Sequence, residues 1–130
     1  HKLIGIQSEN CAPLYQAFRR NLKEIPGIAK KDTLAEGISI ADPIRGMHII
    51  DTVRESNGDF FIVSDAEIKD ALKNMAKKGY YIEPTSAATI AGASKYLAKS
   101  KDEVVVSVFT GHGLKSPEKM LKIVAESRHD

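Results

Sequence analysis

The stretch Val104-Val105-Val106-Ser107-Val108-Phe109, running into Thr110-Gly111-His112-Gly113-Leu114-Lys115-Ser116-Pro117-Glu118, decides the fold class. A near-continuous β-branched run of this kind reads as a strand buried on both faces, which is the habit of parallel sheets covered by helices. A glycine turn follows it. Ser116-Pro117-Glu118 then supplies a cap, a proline where a missing N–H costs nothing, and an acidic residue in the first turn. The expected helix carries Met120, Leu121 and Val124 inward. Strand, glycine turn and capped helix together are the closing half of a βα unit.

The same alternation extends back to the start. Leu3 to Gln7 reads as a short strand, and a helix from Ala12 or Pro13 to about Lys23 repeats Leu14, Phe18 and Leu22 on one face before Pro26-Gly27 ends it. Lys30 to Asp42 has no clear period and reads as extended or loop. Asp42-Pro43 is a good helix start, with Met47, Ile50 and Val53 inward and Ser56-Asn57-Gly58-Asp59 closing the element. Phe60 to Val63 is a second buried strand. Ser64-Asp65-Ala66-Glu67 has capping-box spacing and opens a helix with Ile68, Leu72 and Met75 on one face. Gly79 ends it, Tyr80-Tyr81-Ile82 reads as a short strand, and a helix rich in small residues runs from Ala87 to about Lys99. The implied fold is α/β: three layers, α/β/α, around a largely parallel sheet with right-handed crossovers.

Composition narrows the function classes. Hydrophobic residues make up 42% and charged residues 28% of the 130, which is ordinary for a globular chain and argues against disorder. The length suits a single domain and is too short for an enzyme whose active site needs two. Nineteen basic against 17 acidic residues give a net charge of +2, too little to imply a nucleic-acid or anionic-membrane surface. The pairs Lys30-Lys31 and Lys77-Lys78 lack the interleaved aromatics of a single-strand platform and read as solvated faces. Cys11 is the only cysteine, so no internal disulfide can form and a reducing, cytoplasmic setting is expected. No apolar stretch approaches the ~20 residues that span a bilayer. The chain opens on His1-Lys2 without an initiator methionine and enters a strand at once, so a piece of a longer chain is expected.

Ligands of parallel sheets bind outside the carboxyl ends of the strands. That rule selects three places for chemistry. At Thr110 to Ser116, two glycines admit a ligand to the backbone and a helix start offers free N–H groups, although an ordinary tight turn explains the pattern as well. Glu83-Pro84-Thr85-Ser86 sets a carboxylate and two hydroxyls at a strand end, where Glu83 can serve a ligand or Ser86 or Thr85 can merely cap the next helix. Leu34-Ala35-Glu36-Gly37-Ile38 places Glu36 beside a glycine, either in a cavity wall or in a surface turn. His1, His48, His112 and His129 lack metal-ligand spacing, so no metal site is expected.

Taken in order, Gly5-Ile6-Gln7 with Cys11-Ala12-Pro13-Leu14, Thr33 to Ile38, Pro43-Ile44-Arg45-Gly46, Val63-Ser64-Asp65, Glu83 to Ala88 and Thr110 to Lys115 resemble the C-terminal part of the threonine synthase family. That family belongs to the fold-type II pyridoxal-phosphate enzymes, and the resemblance covers essentially the whole chain. The Thr-Gly-His-Gly-Leu-Lys loop is its most specific part. The resemblance implies the large lobe of such an enzyme, with pyridoxal 5'-phosphate as cofactor. The implied reaction takes O-phospho-L-homoserine and water to L-threonine and phosphate, as a carbon–oxygen lyase. It implies that Thr110 meets the cofactor's ring nitrogen, and that Glu36, Glu83, Ser86 and Gly111 line the pocket. It also implies that the Schiff-base lysine and the phosphate-holding loop lie in a missing N-terminal half. No catalytic residue is then expected among these 130, and the chain alone is expected to be inactive. Homodimers are common in the family, so a homodimer is expected too. Two further readings stay open: a related lyase, such as a cysteate synthase or a threonine or serine dehydratase, and a non-catalytic module for association or ligand binding.

Overall fold

A computed structural model describes residues 1–100 and 102–126. Strand β1 (Ile4–Ser8) pairs in parallel with β2 (Asp59–Val63), in a register that sets Gly5 beside Phe60 and Ser8 beside Val63. Between them run α1 (Pro13–Arg19), a short 3-10 turn at Glu36–Ile38, and α2 (Gly46–Glu55). After β2 come α3 (Asp65–Lys77) and α4 (Pro84–Leu97), then a 3-10 turn at Gly113–Lys115 and α5 (Pro117–Glu126).

The pleat sorts the two strands into two cores. Phe60 points to one face, where it packs with Leu14, Ala17, Ile50 and Val53 of α1 and α2. Val63 points to the other, among Ile68, Leu72, Met75, Ala87, Ala88 and Ala91 of α3 and α4, with Ile6 packed against them. Helices on both faces of a parallel pair give the expected three-layer α/β/α arrangement. Two glycines make it possible at close quarters. A Cβ on Gly5 would lie 2.4 Å from the Phe60 ring, and one on Gly92 would lie 2.2 Å from Ile6, so α4 seats directly on β1. The small residues of α4 thus serve packing.

Local signals decide most boundaries. Ser64 and Glu67 form the reciprocal capping box, with the Ser64 hydroxyl taking the Glu67 N–H at 3.2 Å and the Glu67 carboxylate taking the Ser64 N–H at 2.8 Å. Gly79 ends the descent from α3 at φ +87°, in the left-handed region.

Several expectations are corrected. Helix α1 stops at Arg19 rather than Lys23, because Asn21 turns left-handed at φ 51°. Helix α2 starts at Gly46, not at Asp42-Pro43: at 46 the chain passes so close to Ile25 that a Cβ would lie 2.5 Å from its side chain, and the regular helix begins only past that point. Helix α4 begins at Pro84, three residues early, with Glu83 as its N-cap residue. Tyr80-Tyr81-Ile82 forms no strand, only a single antiparallel bridge from Ile82 to His112. Residues 104–109 form no strand and are unpaired among the described residues. In α5 the inward residues are Met120 and Ile123, while Leu121 and Val124 face outward.

Candidate functional site

The three segments singled out in the sequence meet at one place. A cavity of about 390 Å³ is walled by Glu36 to Ile38 on one side, Glu83 to Thr85 on another, and Thr110, Lys115 and Lys119 on a third. This is within the ~300–1,000 Å³ typical of small-molecule sites. The bridge between Ile82 and His112 holds the two principal walls together. It consists of two hydrogen bonds, Glu83 N–H donating to Gly111 O at 3.1 Å and Gly113 N–H donating to Tyr81 O at 2.9 Å. Both glycines of the turn are needed for that closeness. A Cβ on Gly113 would lie 2.8 Å from the Tyr81 ring, and one on Gly111 would lie 2.2 Å from the Glu83 carboxyl.

Ser86 organises the turn. Because α4 starts at Pro84, Ser86 lies inside the first helical turn and does not cap the helix; its side chain is fully buried and points at the loop. Its hydroxyl oxygen accepts the N–H of Thr110 at 3.0 Å and of Gly111 at 3.3 Å, and lies 3.3 Å from Thr110 Oγ1. Thr110 Oγ1 in turn donates to Glu83 Oε1 at 3.1 Å. Glu83 Oε2 faces Lys115 Nζ at 3.4 Å. Thr110 also borders a second, larger hollow of about 660 Å³ that extends along β1 and residues 104–108.

Glu36 stands on the far wall and pairs with Lys119 at 2.5 Å, whose ammonium donates a hydrogen bond that holds the Glu36 carboxyl below its ordinary pKa. Gly37 comes against Thr85, where a Cβ would lie 2.9 Å from its hydroxyl. Thus Thr110, Gly111, Glu83 and Ser86 form one bonded group, and Glu36 shares the cavity without touching it. Lys119 escaped the sequence reading; its place four residues after Lys115, opposite two acidic candidates, is the signal that points to it. His112 turns away, taking the Leu114 N–H on Nδ1 at 3.2 Å and stacking edge-on against Tyr81. Cys11 is buried and bridged to Ser8 at the end of β1. Among the described residues no cluster has the makings of a metal site, and His129 lies outside them.

The pattern of the pyridoxal-phosphate dependent enzymes matches residues 1–111. Threonine synthase of Methanocaldococcus jannaschii is 36% identical over 129 residues, which are 96% of this chain and 32% of that protein. That of Methanosarcina acetivorans is 34% identical over the same shares. The chain therefore spans only about a third of the length of these relatives. Among solved structures, maize serine racemase aligns over 99% of this chain and 40% of its own, with a TM-score of 0.68 at 17% identity. Serine racemase from Dictyostelium discoideum aligns over 85% and 34%, with a TM-score of 0.66 at 22% identity. At such identities the likeness is one of fold.

Proposed function

Because the chain belongs to the pyridoxal-phosphate-dependent enzymes, we propose that it is the C-terminal part of a threonine synthase, converting O-phospho-L-homoserine and water to L-threonine and phosphate. The observation that carries this reading is the Thr110 hydroxyl, held by Ser86 and Glu83 at the edge of the cavity in the Thr-Gly-His-Gly turn. The threonine synthase relatives, aligned over nearly the whole chain, support the choice of reaction.

The residues fit the ring end of the cofactor. A neutral hydroxyl at a glycine-bared backbone meets a ring nitrogen without bringing a charge, and the cavity beside it has the volume for a small ligand. When bound, pyridoxal phosphate supplies the electron sink for carbanions at the substrate carbons. This chain's part is to hold and orient. Thr110 takes the ring nitrogen, Ser86 fixes the turn that carries Thr110, and Gly111 keeps the backbone low. Glu83 and Glu36 line the floor and far wall.

Lys115 and Lys119 face Glu83 and Glu36 across the cavity, at 3.4 and 2.5 Å. On the proposed reading the Schiff-base lysine and the cofactor's phosphate cradle belong to the two-thirds of the relatives' length that this chain does not cover. On this reading residues 1–130 are one lobe of a cytoplasmic enzyme, which works with the rest of its polypeptide and as a homodimer.

The test is phosphate release. The longer polypeptide carrying this segment, loaded with pyridoxal phosphate, should release phosphate from O-phosphohomoserine, and the isolated 130 residues should release none. Turnover by the isolated chain would end the fragment reading. Preference for phosphoserine, threonine or serine would instead assign a related lyase.

A further inference from the structure

Ser86 stands apart from its neighbours because no cavity reaches it. Glu83, Pro84, Thr85 and Thr110 line the smaller cavity and Thr110 also borders the larger one, whereas Ser86 is fully buried and belongs to the wall of neither. Its hydroxyl is engaged inside the chain.

The turn it engages is fixed amide by amide. Gly113 N–H donates to Tyr81 O at 2.9 Å, Leu114 N–H to His112 Nδ1 at 3.2 Å, Lys115 N–H to His112 O at 3.0 Å and Ser116 N–H to Gly113 O at 3.2 Å. Those acceptors are main-chain carbonyls or lie within the turn. The amides of Thr110 and Gly111 differ, since both end on one side chain of another element, Ser86 Oγ, at 3.0 and 3.3 Å. A hydroxyl has two lone pairs, so one serine serves both donors, whichever of the two hydroxyls donates across the 3.3 Å between Ser86 and Thr110.

This grip falls where orientation is decided. The peptide unit is planar, and these two N–H groups belong to the two units on either side of the Thr110 Cα. Holding both on a single oxygen restrains φ and ψ of Thr110, and with them the direction of its Cβ. The glycine that follows would otherwise leave this backbone permissive.

We infer that Ser86 is a positioning residue for the cofactor: without touching it, Ser86 sets the backbone of Thr110 and so aims the hydroxyl that meets the ring. This rests on the assignment of Thr110 to the ring nitrogen made above. It gives the first turn of α4 a part in holding the cofactor, although Ser86 itself stays out of the site.

The experiment is a double-mutant cycle in cofactor affinity, on the longer polypeptide stripped of pyridoxal phosphate and titrated with it. Loss of one neutral hydrogen bond is worth ~5–10-fold, the weakening expected of Thr110→Val and of Ser86→Ala alike. Because both remove the same contact, the double variant should bind no more weakly than the weaker of the two singles. Visible circular dichroism of the bound cofactor, which follows ring orientation, should change in Ser86→Ala and show no further change when Ser86→Ala is added to Thr110→Val. Ser86→Cys keeps a weaker acceptor at similar size, so it should fall between wild type and Ser86→Ala, and it carries the same cycle if Ser86→Ala does not fold. Far-ultraviolet circular dichroism establishes folding. Losses that multiply in the double variant would mean that Ser86 supports the site in general, which overturns the proposal, as does wild-type affinity in Ser86→Ala. Wild-type affinity and dichroism in Thr110→Val remove Thr110 from the ring, and the proposal falls with that assignment. The cycle needs no substrate: if it behaves as expected while the wild type releases no phosphate from O-phosphohomoserine, the proposed reaction fails and Ser86 keeps its part.

Discussion

Two apolar runs of similar composition come to rest in opposite surroundings. Phe60 to Val63 lies in the parallel pair, with Phe60 1% exposed and Val63 fully buried, while Val104, Val106 and Val108 are 94%, 88% and 71% exposed. The first run exchanges main-chain hydrogen bonds with β1; the second has no ladder at all among the described residues. Residues 103–110 are held by side chains of α4, with Thr89 to Ser107 at 2.8 Å, Ser86 to Thr110 and Tyr96 OH donating to Glu103, and also by Lys2 on Glu103 and the Tyr80 ring against Phe109. Strand propensity is a statement about fitting a half-buried pleated surface, and it becomes a strand only where a partner supplies the other half. A hollow of about 660 Å³ lies between β1 and residues 104–108. Exposed apolar surface of this kind is an interaction site or an aggregation liability.

Amide exchange gives the largest contrast. Amides of the β1–β2 ladder should open only with global unfolding, whereas those of Val104 to Phe109 donate no backbone bond among the described residues. In the isolated chain the two sets should differ by at least about a thousandfold in protection, given a global stability of ~5 kcal/mol or more. Equal protection would show that 104–109 is paired after all. On the proposed reading the longer polypeptide protects both sets, and exchange mass spectrometry of the two chains side by side checks it.

Truncations sharpen the comparison one step down. Phe60→Ala removes a ring that packs on Phe18 at 5.1 Å between centroids and fills the core of α1 and α2, and should cost ~3–5 kcal/mol. Val106→Ala removes an exposed side chain and should stay within ~0.5 kcal/mol in the isolated chain. Urea denaturation of both variants measures the difference. A Val106 variant as damaging as Phe60→Ala would mean that the exposed run is a core element.

Legibility in the sequence divides along the same line. The capping box at Ser64 and Glu67, the periodic faces of α1 and α3 and the strand at Phe60 to Val63 are local signals, and local structure follows them. Residues 104–109 are the clearest strand by composition, yet like Tyr80-Tyr81-Ile82 they form none among the described residues, since pairing is not a local property. Helix starts slipped where a close approach decided them, at Gly46, or where proline at the first helical position outweighed the alanine-rich run behind it, at Pro84. Of the candidate site, the residue types were legible and the wiring was not. Glu83, Ser86, Thr110 and Gly111 stood out as strand-end residues, but the early start of α4 is what turns the Ser86 hydroxyl toward the loop.

The smallest effect separates the two regions by acid. Burial by itself would raise the Glu67 carboxyl, but the hydrogen bonds from the Lys95 ammonium and the Ser64 amide outweigh it and hold this group below its ordinary pKa. Glu103 is held low first by the Tyr96 hydroxyl and then by Lys2, with no burial to speak of. In both cases the folded pKa lies below the unfolded one, so the unfolded chain binds the extra proton. The stability each contributes is present above the unfolded value of ~4.3 and is lost as pH falls through the folded pKa. The consequences differ because the groups tie different things. Protonating Glu67 undoes a capping box in the packed layer of α3 and α4, so Glu67→Gln should flatten the fall in global stability between neutral and acid pH. Protonating Glu103 releases only the fastening of the unpaired segment to α4 and to Lys2. Glu103→Gln should therefore shift the urea midpoint less than Glu67→Gln while abolishing the acid-induced displacement of the Val104 to Val106 amide resonances. Both ion pairs are exposed, so both effects should shrink with added salt. A Glu103 variant that shifts the global midpoint as much as Glu67→Gln would show that the segment is cooperative with the core, and the contrast between the two apolar runs would then be one of pairing alone.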